Sequence, residues 1–251
     1  MANAFDVRLS SSTETASTLI VGLAHFGMAG VTATDYLVRH LDSTQIGQVI
    51  PEDLPAIAPF EEGVPRHHSR LYTLDERDLT LLVSELFIPV DAAGSFTDSL
   101  IEMAENEEIT EILVLHGVPF PHGPEGHEAF TVATPEYRER RLSDTEFKPL
   151  QGGFLDGVVG ELTIRSLDES APDLGVLITP THPPGPDIDA ALRLIEAAES
   201  VYDFEVDETE LRELGEQFRE YYEQLADRMN SLTEGVESPG SHDYPVDRMY
   251  M

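Results

Sequence analysis

Thr18-Leu-Ile-Val-Gly22-Leu-Ala-His25-Phe-Gly27-Met-Ala-Gly30 is the stretch whose reading decides the fold. Its first six residues form an apolar run rich in β-branched side chains, the pattern of a strand covered on both faces. The glycines that follow allow a sharp turn, and Val31, Tyr36, Leu37 and Leu41 then recur at helical spacing. A strand that enters a helix through a glycine turn is the opening unit of an α/β sheet.

Working outward, Gln45 to Ile50 reads as the next strand, and Pro51, Pro55, Pro59 and Pro65 punctuate an irregular stretch. Ser69 to Leu74 and Leu79 to Leu86 read as a strand pair joined through the charged turn Asp75 to Asp78. Phe96, Leu100, Ile101 and Ala104 have helical spacing and precede the buried-strand run Ile112 to Leu115. A loop rich in Gly, Pro and His runs from His116 to His127, and Ala129 to Ala133 reads as another strand. Gly152 to Leu167 carries the apolar helical stripe Leu155, Val158, Val159 and Leu162. Leu174 to Ile178 is a continuous apolar strand, and after Pro186 a helix places Ile188, Ala191, Leu192, Ile195 and Tyr202 on one face. This alternation predicts an α/β fold, a three-layer α/β/α sandwich with a mostly parallel central sheet.

Past that body, Leu211, Leu214, Phe218, Tyr221 and Leu225 recur at three- and four-residue intervals. They predict a long amphipathic C-terminal helix opening at Asp207, where Glu210 completes a capping-box pattern. The expected organisation is an N-terminal segment over 1–17, either a strand or partly disordered, and an α/β core over 18–206. The amphipathic helix follows over 207–230, with a flexible tail over 231–251.

The chain has 251 residues, of which 15 are basic and 48 acidic, giving a formal charge of −33; Lys148 is its one lysine. Too few cations exist to build a phosphate-neutralising face, so no nucleic-acid partner is expected, and no anionic membrane either. Such a carboxylate excess repels itself in dilute buffer and is tolerated where molar salt shortens the screening length to about 3 Å. The charge therefore points to a cytoplasmic protein of a high-salt cytosol. Cysteine is absent, which removes disulfides, thiolate nucleophiles and cysteine zinc sites. The sequence starts without a basic and apolar leader pattern, and no apolar run is long enough to span a bilayer.

Three places are candidates for function. In the turn Gly22, Gly27 and Gly30, the glycines serve close strand–helix packing or an anion at the helix N-terminus; the spacing is neither a dinucleotide fingerprint nor a P-loop. His116, with Gly117, opens the loop that also carries His122 and His127, after a buried strand, where α/β sheets place ligands. The histidine spacings of six and five match no metal-binding signature, so no metal and no cofactor are assigned. Thr179, Thr181 and His182 lie close in sequence, but no Gly-x-Ser-x-Gly elbow is present, and no catalytic residue is assigned. The arginine clusters Arg66 to Arg70 and Glu136 to Arg141, and the histidines His67, His68 and His182, read as solvated surface. The third place is Met249-Tyr250-Met251, where a phenol ring between apolar side chains and a terminal carboxylate form a compact anchor on a mobile tail.

Taken together, the glycine turn Gly22 to Gly30 with Tyr36-Leu37, the strand Leu79 to Glu85 and the strand Ile112 to Gly117 resemble the proteasome assembly chaperone family. So do Gly152 to Leu162, Gly175 to Thr181 and the helix Asp187 to Val201, and the likeness runs from Thr18 to Met229. It implies a three-layer α/β fold, homo-oligomers in archaea and no established catalysis. It also implies ATP-independent binding to the α subunits of the 20S proteasome core particle, as an assembly chaperone or regulatory factor. Some archaeal members carry a hydrophobic-Tyr-X ending that docks between those subunits, and Met249, Tyr250 and Met251 match it residue by residue. The acid load marks a salt-adapted member. The rival is a hydrolase- or ligase-like enzyme with a small-molecule site in the loops after the strands, using the Gly22 to Gly30 turn with His116 or His182.

Overall fold

The computed structural model describes residues 4–10, 15–52, 54, 57–74, 76–123, 126–168, 171–182 and 185–234. The chain forms two compact units, residues 1–212 and 213–251. In the first unit the strands are β1 (Phe5–Leu9), β2 (Thr18–Leu23), β3 (Ser43–Pro51), β4 (Phe60–Glu61), β5 (Val64–Pro65), β6 (Ser69–Leu74), β7 (Leu79–Ser84), β8 (Glu111–Val118), β9 (Phe130–Ala133), β10 (Lys148–Pro149) and β11 (Asp173–Pro180). The helices are α1 (Ala29–His40), α2 (Val90–Asn106), α3 (Pro135–Tyr137), α4 (Gly157–Arg165) and α5 (Ile188–Tyr202), with α6 (Thr209–Glu234) beginning in this unit. A π-helical turn, Arg138–Leu142, continues α3.

Among the described residues, nine strands form one sheet in the order β1-β3-β6-β7-β2-β8-β11-β9-β10, and β4 with β5 makes a small hairpin. The centre, β7-β2-β8-β11, is parallel throughout. Its flanks are antiparallel (β1 on β3, β3 on β6, β6 on β7, and β9 on β11), except for the short β10, which lies parallel to β9 at the edge. The parallel strands are those whose sequences are apolar without alternation, because helices cover both of their faces.

Alternation along each strand assigns the two faces. Leu19, Val21, Leu82, Ile112, Val114, Leu174 and Val176 pack into one cluster with Phe96, Leu100 and Met103 of α2 and Val158, Val159 and Leu162 of α4. Phe5 of β1 closes this cluster edge-on against Phe96, with ring centroids 5.0 Å apart. The intervening residues Ile20, Leu81, Leu113, Leu115 and Leu177 are buried too. On that side α1 packs on β2, β7 and β8, and α5 packs on α1, β8 and β11. The result is a three-layer α/β/α sandwich, in which each fully buried Leu or Ile contributes about 1.5–3 kcal/mol.

One charged group expected at the surface lies inside. Arg70, on β6, is 1% exposed. Its guanidinium reaches Glu85 at 2.8 and 2.9 Å and Asp35 of α1 at 3.3 Å, and it donates to the His67 carbonyl at 2.6 Å. A buried guanidinium persists because its donors are satisfied by carboxylates. At the other end of the sheet the π-helical turn directs Arg140 and Arg141 onto the buried Glu111, which also accepts from Thr18 Oγ1 at 2.9 Å. His68 is likewise buried; its Nδ1 lies 2.8 Å from Ser69 Oγ, and burial lowers its pKa first, with His67 adding to the shift.

Candidate functional site

The strands β2, β8 and β11 end side by side, with Gly22 opposite Leu115 and Ile178 opposite His116. The segments leaving these ends are tied together by backbone bonds. The Asp187 N–H donates to the Gly27 carbonyl at 2.8 Å, and the Thr181 N–H donates to the Val118 carbonyl at 3.0 Å. All of Gly22, Gly27, Gly30, His116, Gly117 and Thr181 meet at this junction.

The glycines there are points of closest approach. A Cβ on Gly30 would overlap the Leu115 carbonyl oxygen, and one on Gly22 would fall within the Thr34 side chain. At Gly27, where φ is +70°, it would stand 2.7 Å from Thr181 Cβ, and at Gly117 it would stand 2.5 Å from Thr181 Cγ2. Gly27 and Met28 both have positive φ, which reverses the chain between β2 and α1. The Thr34 hydroxyl donates to the Gly30 carbonyl at 2.6 Å and locks the first turn of the helix.

His116 parts company with the two histidines that follow it in sequence. As the sixth residue of β8 it points inward, 6% exposed, against the His25 ring at a centroid distance of 4.6 Å. Burial, and after it the neighbouring His25, pushes its pKa down to about 3, so it is neutral near pH 7.

His122 and His127 gather instead with His182, and one ring nitrogen from each lies within 4.8 Å of the others. His182 Nε2 is 3.1 Å from His122 Nε2 and 3.4 Å from His127 Nε2. His122 Nδ1 donates to the Phe120 carbonyl at 2.7 Å. His182 Nδ1 faces Asp187 Oδ2 at 2.9 Å, and the same carboxylate accepts from the His182 N–H and caps α5 through the Ala190 N–H. Desolvation lowers the His127 pKa first, followed by the charge of Arg193 and the two neighbouring imidazoles. The separations of 55 and 60 residues explain why sequence spacing did not reveal the cluster. Only the register of β8 beside β11 brings the two loops together.

Thr179 does not meet His182. Its hydroxyl donates to the Glu128 carbonyl at 3.3 Å and accepts from Arg193 Nε at 2.8 Å. In α6, Leu211 is buried in the first unit. In the second unit the Phe218 and Tyr222 rings lie 6.2 Å apart, with Tyr221 5.8 Å from Tyr222. Met249, Tyr250 and Met251, expected as the anchor, lie outside the described residues. Among the described residues, no helix is long and apolar enough to cross a membrane.

Residues 19–226 match the PAC2 family. The chain belongs to the PAC2 family. The matched residues run from β2 into α6, so the whole glycine junction falls within the PAC2 region. Solved structures share the fold. Pyrococcus furiosus PbaA, an archaeal homolog of proteasome-assembly chaperone, superposes with a TM-score of 0.77 at 20% identity, over 92% of this chain and 96% of that one. Pyrococcus furiosus PbaB, an archaeal proteasome activator, gives 0.73 at 17% identity, over 89% and 99%. A Thermoplasma acidophilum protein of unknown function gives 0.73 at 23% identity, over 92% and 94%. Comparison with curated proteins gave no match.

Proposed function

We propose that this PAC2 protein binds the 20S proteasome core particle, docking on its α ring without ATP as an assembly chaperone or regulatory factor. The observation that carries the reading is family membership over residues 19–226, joined to a fold shared with PbaA and PbaB over about nine-tenths of this chain. Met249, Tyr250 and Met251 are the docking residues in this reading, an aromatic ring flanked by two flexible thioethers that suits an apolar pocket. With a net charge of −33, docking in a high-salt cytosol rests on apolar and short-range contacts, since longer-range attraction is screened.

Self-association belongs to the same reading. A surface hollow of about 420 Å³ between the β9–β10 edge and α4 is lined by Val132, Leu150, Leu155 and Ile164. Phe154 on its rim is fully exposed, and Ile164 is 66% exposed. Large apolar side chains clustered in the open support an interface between copies. The chain is read as performing no catalysis.

Recovery of the protein with 20S particles from cells lysed at molar salt tests the reading. Core-particle subunits in the purified complex are the expected result. Their absence from a complex purified under those conditions would contradict it.

A further inference from the structure

We infer that His122, His127 and His182 form a binding site for a borderline transition-metal ion of the zinc class. This departs from the sequence expectation of no metal, and it stands independently of the proteasome reading.

The first reason is lone-pair geometry. A carbonyl can only accept, so the contact with Phe120 fixes the His122 proton on Nδ1. The Asp187 carboxylate does the same for His182. Both rings turn Nε2, the nitrogen left for a ligand, into the cluster, and these two nitrogens face each other at 3.1 Å. A metal ion shared by the two Nε2 lone pairs holds both rings in this facing arrangement.

The second reason is size. Zinc–imidazole bonds of about 2.0–2.1 Å in a tetrahedron place neighbouring nitrogens about 3.3 Å apart. The Nε2 separations from His182, 3.1 and 3.4 Å, bracket that value. The third reason is the surrounding shell. Metal-ligating histidines commonly donate their second N–H to a carboxylate or a backbone carbonyl, and both kinds of partner are present. Asp187, its side chain 8% exposed, is itself held by the Ala190 N–H and by the backbone N–H of His182, so it fixes the ring it supports.

Three nitrogen donors select against calcium and magnesium, which take oxygen ligands, and favour zinc, copper or nickel. Arg193 opposes a cation at His127, but its guanidinium is tied to Thr179 Oγ1 and the Pro180 carbonyl, and the Asp187 carboxylate against His182 supplies the opposite charge. His127 and His182 are exposed, so a fourth coordination position opens to solvent, where water or a carboxylate completes the shell. The ion would staple the loop after β8 to the loop after β11.

Equilibrium dialysis of the full chain against zinc, in molar potassium nitrate with excess magnesium to occupy surface carboxylates, tests the site. One zinc per chain is expected for the wild type and for the exposed-surface control His67→Ala. His182→Ala should weaken binding at least tenfold. Asp187→Asn, which keeps an acceptor for the Ala190 N–H, should weaken it by about 10-fold or more. Circular dichroism confirms that each variant is folded, and cobalt substitution gives a second readout: a tetrahedral visible spectrum in the wild type, lost in His182→Ala. Equal zinc uptake by the triple variant His122→Ala/His127→Ala/His182→Ala would mean that carboxylates hold the metal, and would overturn the inference. So would a folded wild type that retains no zinc.

Discussion

Arg70 and Glu85 meet in a two-pronged ion pair, Nη1 to Oε2 at 2.8 Å and Nη2 to Oε1 at 2.9 Å, with the guanidinium sealed inside the protein. Glu85 follows directly after β7, Arg70 lies on β6, and the Asp35 contact adds α1, so one side chain ties three elements beside the glycine junction. Removing the side chain opens a cavity where the buried guanidinium sat and takes from Glu85 and Asp35 one of two arginine partners, leaving only Arg66 and Arg39 respectively. Arg70→Ala should therefore cost about 3 kcal/mol or more, read as a lower urea midpoint at fixed salt. Arg70→Lys should recover only part of it, because a single ammonium cannot span both carboxylate oxygens.

Gly30 sits where a methyl group would overlap the Leu115 carbonyl oxygen. Neither backbone can retreat without unpacking α1 from the sheet. Gly30→Ala should destabilise by about 1–3 kcal/mol, a melting-temperature loss of several degrees for a domain this size. Gly63→Ala tests a different cause, since φ is +81° there but nothing lies within 4 Å, so only backbone strain of about 1–2 kcal/mol remains.

His116 gives the protein an acid-sensitive element. Its folded pKa of about 3 lies below the ordinary 6.5, so between those values the unfolded chain binds a proton that the folded chain does not. The stability from the neutral buried ring is full above about pH 6.5. It falls with decreasing pH toward about 3, at up to about 1.4 kcal/mol per pH unit. Urea titrations across that window should show a shallower loss for His116→Phe than for the wild type. Parallel curves would remove His116 from the acid response.

In the proposed self-association, Phe154, fully exposed on the rim of the hollow beside α4, is the contact to test. Phe154→Asp should shift the mass measured by light scattering at molar salt toward the monomer while leaving the melting temperature nearly unchanged. An unaltered oligomer mass, or a wild type that is already monomeric at molar salt, would contradict the proposed interface between copies.

Much of the sheet was legible because its central strands are short apolar runs between glycine and proline signals. Thr18–Leu23 and Ser69–Leu74 have the ends that the sequence marked, and α4 follows the stripe from Val158 to Leu162. The antiparallel rim was less so. β1 pairs with β3, whose Ile46 and Val49 share its core cluster with Phe5, but its sequence, Phe-Asp-Val-Arg-Leu, offers no turn signal linking it to a partner about 40 residues away. Arg70 read as surface because a charged residue in a strand usually faces water; only tertiary structure shows Glu85 and Asp35 waiting for it.

The candidate site followed the same logic. Gly22, Gly27, Gly30 and Gly117 share one junction, and their spacing within each loop was visible before the fold. His182 joining His122 and His127 was not, because chain separation hides what adjacent parallel strands bring together. His116 was grouped with the wrong partners for a related reason. The strand extends past it to Val118 and turns its ring inward, toward His25.

The central claim, docking on the proteasome through Met249, Tyr250 and Met251, is tested most directly by titrating purified 20S particles with the wild-type chain, Tyr250→Ala, and a variant lacking residues 249–251, all at molar salt. Saturable binding by the wild type is predicted, weakened by about 2 kcal/mol or more in Tyr250→Ala and lost on deletion. Equal affinity for all three proteins would contradict the claim.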